Sequence, residues 1–140
     1  MDRREALADL EAFAKRYIAA ERFPNDIHRF TAAACPRCGV VPLTLTIEHH
    51  TGSKKQDFKG RITAHCGTSG RTFSVLSFTG AQRKPVREEQ PECRCGSVDF
   101  LVGECERVER DGGLPGFFAE RVVVGNCVVC GRDLAFVYTD

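Results

Sequence analysis

Cys127-Val-Val-Cys130-Gly131-Arg132 is the stretch on which the fold turns. Two thiols three positions apart can face one point only across a tight turn, and the glycine that follows tolerates the positive φ such a turn can require. Two more close pairs follow the same plan, Cys35-Pro-Arg-Cys38 ahead of Gly39 and Cys93-Arg-Cys95 ahead of Gly96. A fourth stretch, Cys66-Gly-Thr-Ser69-Gly70-Arg71, lines up with the opening one, with serine where the second cysteine belongs. Six of the eight cysteines therefore sit in three knuckles. With no secretion signal, such spacing points to metal binding, with a disulfide framework as the weaker alternative.

Between the knuckles the hydrophobic period is two. Val41, Leu43, Leu45 and Ile47 alternate with Pro42, Thr44, Thr46 and Glu48, as in a half-buried strand. Thr51-Gly-Ser-Lys-Lys is a turn-rich loop, Ile62, Ala64 and Cys66 mark a returning strand, and residues 71–78 a third. The plan then repeats. A strand over about residues 98–109, a turn at Asp111-Gly-Gly, a strand over 117–125 and a last strand over 133–139 surround the second set of knuckles.

This order of knuckle, hairpin, knuckle and strand resembles the zinc-ribbon superfamily over about residues 33–139. The resemblance implies a small metal-bound α+β protein, an N-terminal helix followed by two three-stranded antiparallel zinc-ribbon modules. The expected division is a helix and connector over 1–32, a first ribbon over 33–79, a linker over 80–91 and a second ribbon over 92–140. Zinc ribbons serve transcription, translation, replication and protein assembly alike, so the motif specifies structure far better than function.

Cys93, Cys95, Cys127 and Cys130 offer four thiolates, the shell of a closed structural zinc site. The single residue between Cys93 and Cys95 departs from the usual two. The first module keeps Cys35, Cys38 and Cys66 and lacks the fourth thiolate at Ser69. His28 precedes the first knuckle with nothing to position it. His49 and His50 lie along a strand that carries them roughly 35 Å from the metal. His65 is close in sequence, but alternation points it away from Cys66. The expected first site is, in order of preference, three thiolates with Ser69 acting through water or an outside ligand, a site that His65 joins, or a site without metal. About one to two zinc ions per chain follow. Cys105 groups with Leu101 and Gly103 as a buried structural thiol.

Residues 2–22 pattern as an amphipathic helix, with Asp2 and Glu5 as a capping box and Leu7, Leu10, Ala14, Tyr17 and Ile18 on one face, ending at Pro24 and Asn25. That face serves packing against the protein's own strands, or docks a partner. Ordering backbone costs roughly 1–2 kcal/mol per residue, and small ribbons without tryptophan have little apolar area to offset it. Structural zinc supplies about 10–16 kcal/mol in finger peptides, enough to decide folding.

With 20 basic and 19 acidic residues, the chain lacks the basic excess that would mark it for nucleic acid. No apolar run approaches the roughly 20 residues that span a bilayer, and a soluble protein of the reducing cytoplasm is expected. A protein–protein adaptor comes first. A nucleic-acid accessory protein comes second, on the strength of Lys54, Lys55, Lys59 and Arg61 around the first hairpin tip and Arg83, Lys84 and Arg87 in the linker. A zinc enzyme using the open first site comes third, since the sequence has no phosphate loop, nucleophile elbow or Glu beside a ligand His. Rubredoxin-like iron chemistry comes last.

Overall fold

The computed structural model describes residues 2–50, 60–77, 85–108 and 118–139. Lys54, Lys55, Lys59, Arg83 and Lys84 lie outside them, as do both anticipated hairpin turns. Helix α1 spans Arg3–Tyr17, and Asp2 caps it by accepting a hydrogen bond from the Arg4 backbone N–H at 3.2 Å. The helix stops well before Pro24, because Ala19 turns left-handed at φ 52° while Ile18 and Ala19 donate back to the carbonyls of Ala14 and Arg16. Ala6, Leu10, Ala14 and Ile18 form its buried stripe, whereas Tyr17, expected on that face, is half exposed.

Eight strands follow: β1 (Ile27–Ala32), β2 (Leu43–His50), β3 (Gly60–His65), β4 (Thr72–Ser77), β5 (Pro85–Glu89), β6 (Asp99–Val108), β7 (Phe118–Cys127) and β8 (Asp133–Thr139). Six of them match the alternation in the sequence; β1 and β5 do not. Two separate three-stranded modules were expected, but the described strands form one eight-stranded sheet in the order β4-β3-β2-β6-β7-β8, with β1 along β6 and β5 along β2. The two hairpin units meet where Leu43 and Thr44 pair with Phe100 and Asp99, and the Thr44 hydroxyl donates to the Asp99 carboxylate at 3.0 Å.

The lead-in strands explain why the halves fuse. Strand β1 runs into the Cys35 knuckle, yet it pairs antiparallel with β6 of the later half, from Ile27↔Val108 to Ala32↔Gly103. Strand β5 runs towards the Cys93 knuckle, yet it pairs with β2 of the earlier half, from Ile47↔Glu89 to His50↔Pro85. Each half thus lends a strand to the other. Residues 80–91, expected as a linker, supply β5, and the expected connector after the helix supplies β1.

Alternation along the strands makes two cores. On one face Leu43, Leu45, Ile47, Ile62, Ala64, Phe100, Val102 and Val123 pack together with buried cysteines of both knuckle groups. On the other, Cys105, Val122 and Val124 pack under Leu10, Ala14 and Ile18 of α1. The helix face therefore does what the first of its two expected roles describes. Gly125 is small for a steric reason, since a Cβ there would collide with the ring of Phe136, itself edge-on to Phe100. Burying about 25 cal/mol per Å² of apolar area is the main drive on both faces. A paired polar cluster fixes the segment after the helix: Arg107 reaches Asp26 at 2.6 Å and Glu120 at 2.8 Å, stacks over Phe23, and Tyr138 donates to Glu120.

Candidate metal centres

Both knuckle groups are held by matched backbone turns. In the second halves, the Gly70 N–H donates to the Cys66 carbonyl and the Gly131 N–H to the Cys127 carbonyl, each at 2.8 Å. Cys66 and Cys127 likewise both donate at 2.9 Å, to the carbonyls of Arg71 and Arg132. Gly70 and Gly131 take positive φ, at 74° and 79°, where a side chain would be strained. In the first halves the spacings differ and so do the turns. Gly39 donates to Cys35 across four residues at 2.9 Å, whereas Gly96 donates to Cys93 across three at 2.8 Å. The shorter turn is how a knuckle with one intervening residue still gathers its two sulfurs.

Cys93, Cys95, Cys127 and Cys130 come together with all four Sγ atoms within 4.8 Å of one another. Cys93 lies 3.4 Å from Cys130, and Cys95 lies 3.5 Å from Cys127, sulfur to sulfur. A tetrahedral zinc with Zn–S bonds of about 2.3 Å separates its sulfurs by about 3.8 Å, so the group is sized for such an ion. Cys93 and Cys127 are buried at the base, with Cys95 and Cys130 on the outer side. Burial opposes charge on Cys127, but N–H···S bonds from the Cys130 and Val129 backbone outweigh it and hold that thiol at about 6. Cys95 goes the other way: the Ser97 backbone lowers its pKa, but sharing hydrogen bonds with Cys127 and desolvation push it up to about 11.

The difference sets a proton count. A thiol held at about 6 is already a thiolate at pH 8, and metal binding displaces protons only from thiols that still carry them. Titrating zinc into metal-free protein at pH 8, in buffers of different ionisation heat, should show fewer than four protons released at the four-cysteine group. Release of about four would mean that Cys127 is protonated before the metal arrives.

Cys35, Cys38 and Cys66 form the other cluster, that of the first site, again within 4.8 Å, with Cys66 and Cys38 3.9 Å apart. Ser69 stands at its fourth corner, its Oγ 3.3 Å from the Cys35 sulfur. The hydroxyl oxygen accepts the Arg71 backbone N–H at 3.2 Å, which leaves its proton free for sulfur. That hydroxyl, together with backbone N–H groups, outweighs burial and holds Cys35 at about 6. None of the four histidines joins the cluster. His65 is exposed on the opposite side of its strand, its Nδ1 3.3 Å from the Thr72 hydroxyl. His49 pairs with Glu89 at 2.9 Å, His50 is buried in the last position of β2, and His28 lies on β1 opposite Arg107. Cys105 is fully buried beneath the helix, where desolvation pushes its thiol up to about 11.

Of the four basic residues anticipated at the first hairpin tip, only Arg61 is described, and it sits directly across the ladder from Glu48. Two features escaped the sequence. Arg3 of α1 donates to the Val40 carbonyl at 3.0 Å, tying the helix start to the first knuckle. Val128 and Val129, between the two ligands of the Cys127 knuckle, are 43% and 71% exposed. They border a cavity of about 570 Å³ with Ala6, Pro42 and Leu101 in its wall and Arg3 at its edge.

Two clusters of cysteine sulfurs at metal-binding distances on a small, largely antiparallel α+β frame fit a zinc-binding fold. Compared with protein-family models, with curated proteins and with solved structures, the chain has no significant match. No helix among the described residues is long and apolar enough to cross a membrane.

Proposed function

We propose that this chain is a tandem zinc-ribbon protein of the reducing cytoplasm in which zinc is a structural staple and the work is done by contact with a protein partner, not by catalysis. The observation that carries this reading is the pair of exposed valines on the four-cysteine knuckle. A closed shell of four thiolates leaves a zinc ion no position for substrate or activated water. The ion's role there is to hold the Cys127–Cys130 turn rigid, and that rigid turn holds Val128 and Val129 out to solvent beside a cavity lined by Ala6, Pro42 and Leu101 together with Arg3 and Asn126. Isolated exposed apolar residues are ordinary on protein surfaces; two adjacent ones on a metal-fixed turn, next to a hollow, suit a partner that offers an apolar side chain. The matching N-terminal helix face is occupied by the protein's own sheet, so the knuckle is the better docking element of the two.

Nucleic-acid binding is the second reading, supported by exposed arginines at all four knuckle turns: Arg37, Arg71, Arg94 and Arg132. The two readings separate in one experiment. Crosslinked capture from the native host, run with wild type, Val129→Asp and the Arg94→Glu/Arg132→Glu pair, should lose a defined protein with Val129→Asp while its melting curve stays within about 0.5 kcal/mol of wild type. Binding to mixed-sequence DNA or RNA that is tighter than about 1 μM, falls steeply with salt and is lost in the arginine pair would replace the adaptor reading with the second.

A further inference from the structure

We propose that the Cys35–Cys38–Cys66 cluster binds its metal with one exchangeable position, and that an exogenous thiolate fills it. The proposal rests on the zinc reading above and adds the ligand class that the first site takes.

Among the described residues, three soft donors meet at this cluster and no fourth. Ser69 occupies the corner, in a turn whose backbone bonds match those of the complete site, but it offers a neutral hydroxyl whose oxygen already accepts the Arg71 N–H. The remaining cysteines and the four histidines all lie elsewhere in the fold. Four cysteines form the second group, Cys105 is buried under α1, and His28, His49, His50 and His65 all lie outside the cluster. With all eight cysteines accounted for, a fourth thiolate must come from outside the chain.

The surroundings are nevertheless those of a four-thiolate site. Arg37 lies inside the first knuckle as Arg94 does in the complete group, and Arg71 follows the second knuckle as Arg132 does, all four exposed. Zinc with three thiolates carries one negative charge and with four carries two, and the chain puts arginines at matching positions around both sites. The approach is open as well. Gly67, Thr68 and Gly70 around Ser69 are exposed, and a Cβ at either glycine would meet no atom within 4 Å. In the exchange the incoming thiol loses its proton to solvent, its sulfur bonds to the ion, and the oxygen donor, Ser69 or a water, leaves; no electron is transferred.

The thiolate can belong to a small cellular thiol or to a cysteine on a partner protein, and the test covers both. Full-length protein is loaded with cobalt(II), metal content is measured on the same sample, and visible absorption is followed during titration with 2-mercaptoethanol or with a short unstructured peptide carrying one cysteine. With two ions bound, the wild-type spectrum should move towards the four-sulfur pattern, saturably and with about one thiol per chain. Ser69→Cys should show that pattern at the outset and respond to neither thiol, while Ser69→Ala should respond as wild type does. A response to both thiols assigns the site to any accessible thiolate, and a response to the peptide alone assigns it to a protein cysteine. Two bound ions with no response to either thiol, or a response in Ser69→Cys equal to wild type, overturns the proposal and leaves the zinc reading standing. Only one ion bound under excess cobalt overturns the metal-binding reading of the first cluster itself.

Discussion

Cys127→Ser should leave the protein without its second metal ion and largely unfolded at 25 °C. Cys127 is fully buried, bridges the two knuckles through its 3.5 Å contact with Cys95, and packs in the core shared by both halves. Removing it takes away one of four thiolates and leaves an incomplete shell. Structural zinc contributes about 10–16 kcal/mol in finger peptides, and domains of this size are stable by only about 5–15 kcal/mol. Loss of half of the metal's contribution, about 5–8 kcal/mol, is therefore comparable with the whole margin of a domain at the lower end of that range. The measurement is metal content together with far-ultraviolet circular dichroism and thermal melting. Cys105→Ala is the control, since it removes a buried thiol that lies in neither cluster: it should keep its metal and lose only about 1 kcal/mol. A Cys127→Ser protein that melts as wild type does would remove Cys127 from the set of ligands.

Phe30→Ala should loosen the second metal group although Phe30 lies just ahead of the first knuckle in the chain. Its ring covers Gly103 of β6, so closely that a Cβ at Gly103 would collide with it, and it packs against the core beneath α1. Truncating a buried phenylalanine costs about 3–5 kcal/mol; for this half-buried ring about 2–4 kcal/mol is expected. The diagnostic is where the effect appears. Because β1 pairs along β6, which is hydrogen-bonded to β7 and so to Cys127, chelator should extract metal from the four-cysteine group several times faster than in wild type. Two independent modules would confine the change to the first cluster, and that outcome would contradict the strand exchange.

What the sequence made legible was whatever depends on short range. Thiol spacing and the following glycines marked three turns, their likeness to Cys66–Arg71 marked the fourth, and apolar alternation marked the six strands that bury a face, such as Leu43, Leu45 and Ile47 of β2. The orientation of His65 away from Cys66 also followed from period-two geometry. Strands β1 and β5 were invisible for the same physical reason. Ile27-His-Arg-Phe-Thr-Ala alternates between exposed and half-buried positions with none fully buried, and Arg87, Glu88 and Glu89 of β5 are exposed, so backbone pairing rather than an apolar stripe makes them strands. Pairing with a distant partner leaves no local trace. The helix ended early for a comparable reason, since nothing about Ala19 marks it as a left-handed residue. Nothing in the sequence marked Val128 and Val129 as exposed, because exposure is a property of the finished surface.

The exchange of lead-in strands also sets an order of events during synthesis. A ribosome releases β1 early, but Ile27 has no partner until Val108 has been made. Strand β2 is likewise completed long before β5 and β6 arrive to cover it, leaving Leu45 and Ile47 on an open sheet edge. At about 5–20 residues per second the exposure lasts several seconds, which is long for an unpaired edge that invites aggregation. Cys35, Cys38 and Cys66 all precede β5 and β6 in the chain, so the three thiols are made before the strands that close the sheet. A metal ion captured there would clamp the first hairpin while the rest of the sheet is still being written, giving the incomplete cluster a task in the nascent chain distinct from any it has in the finished one.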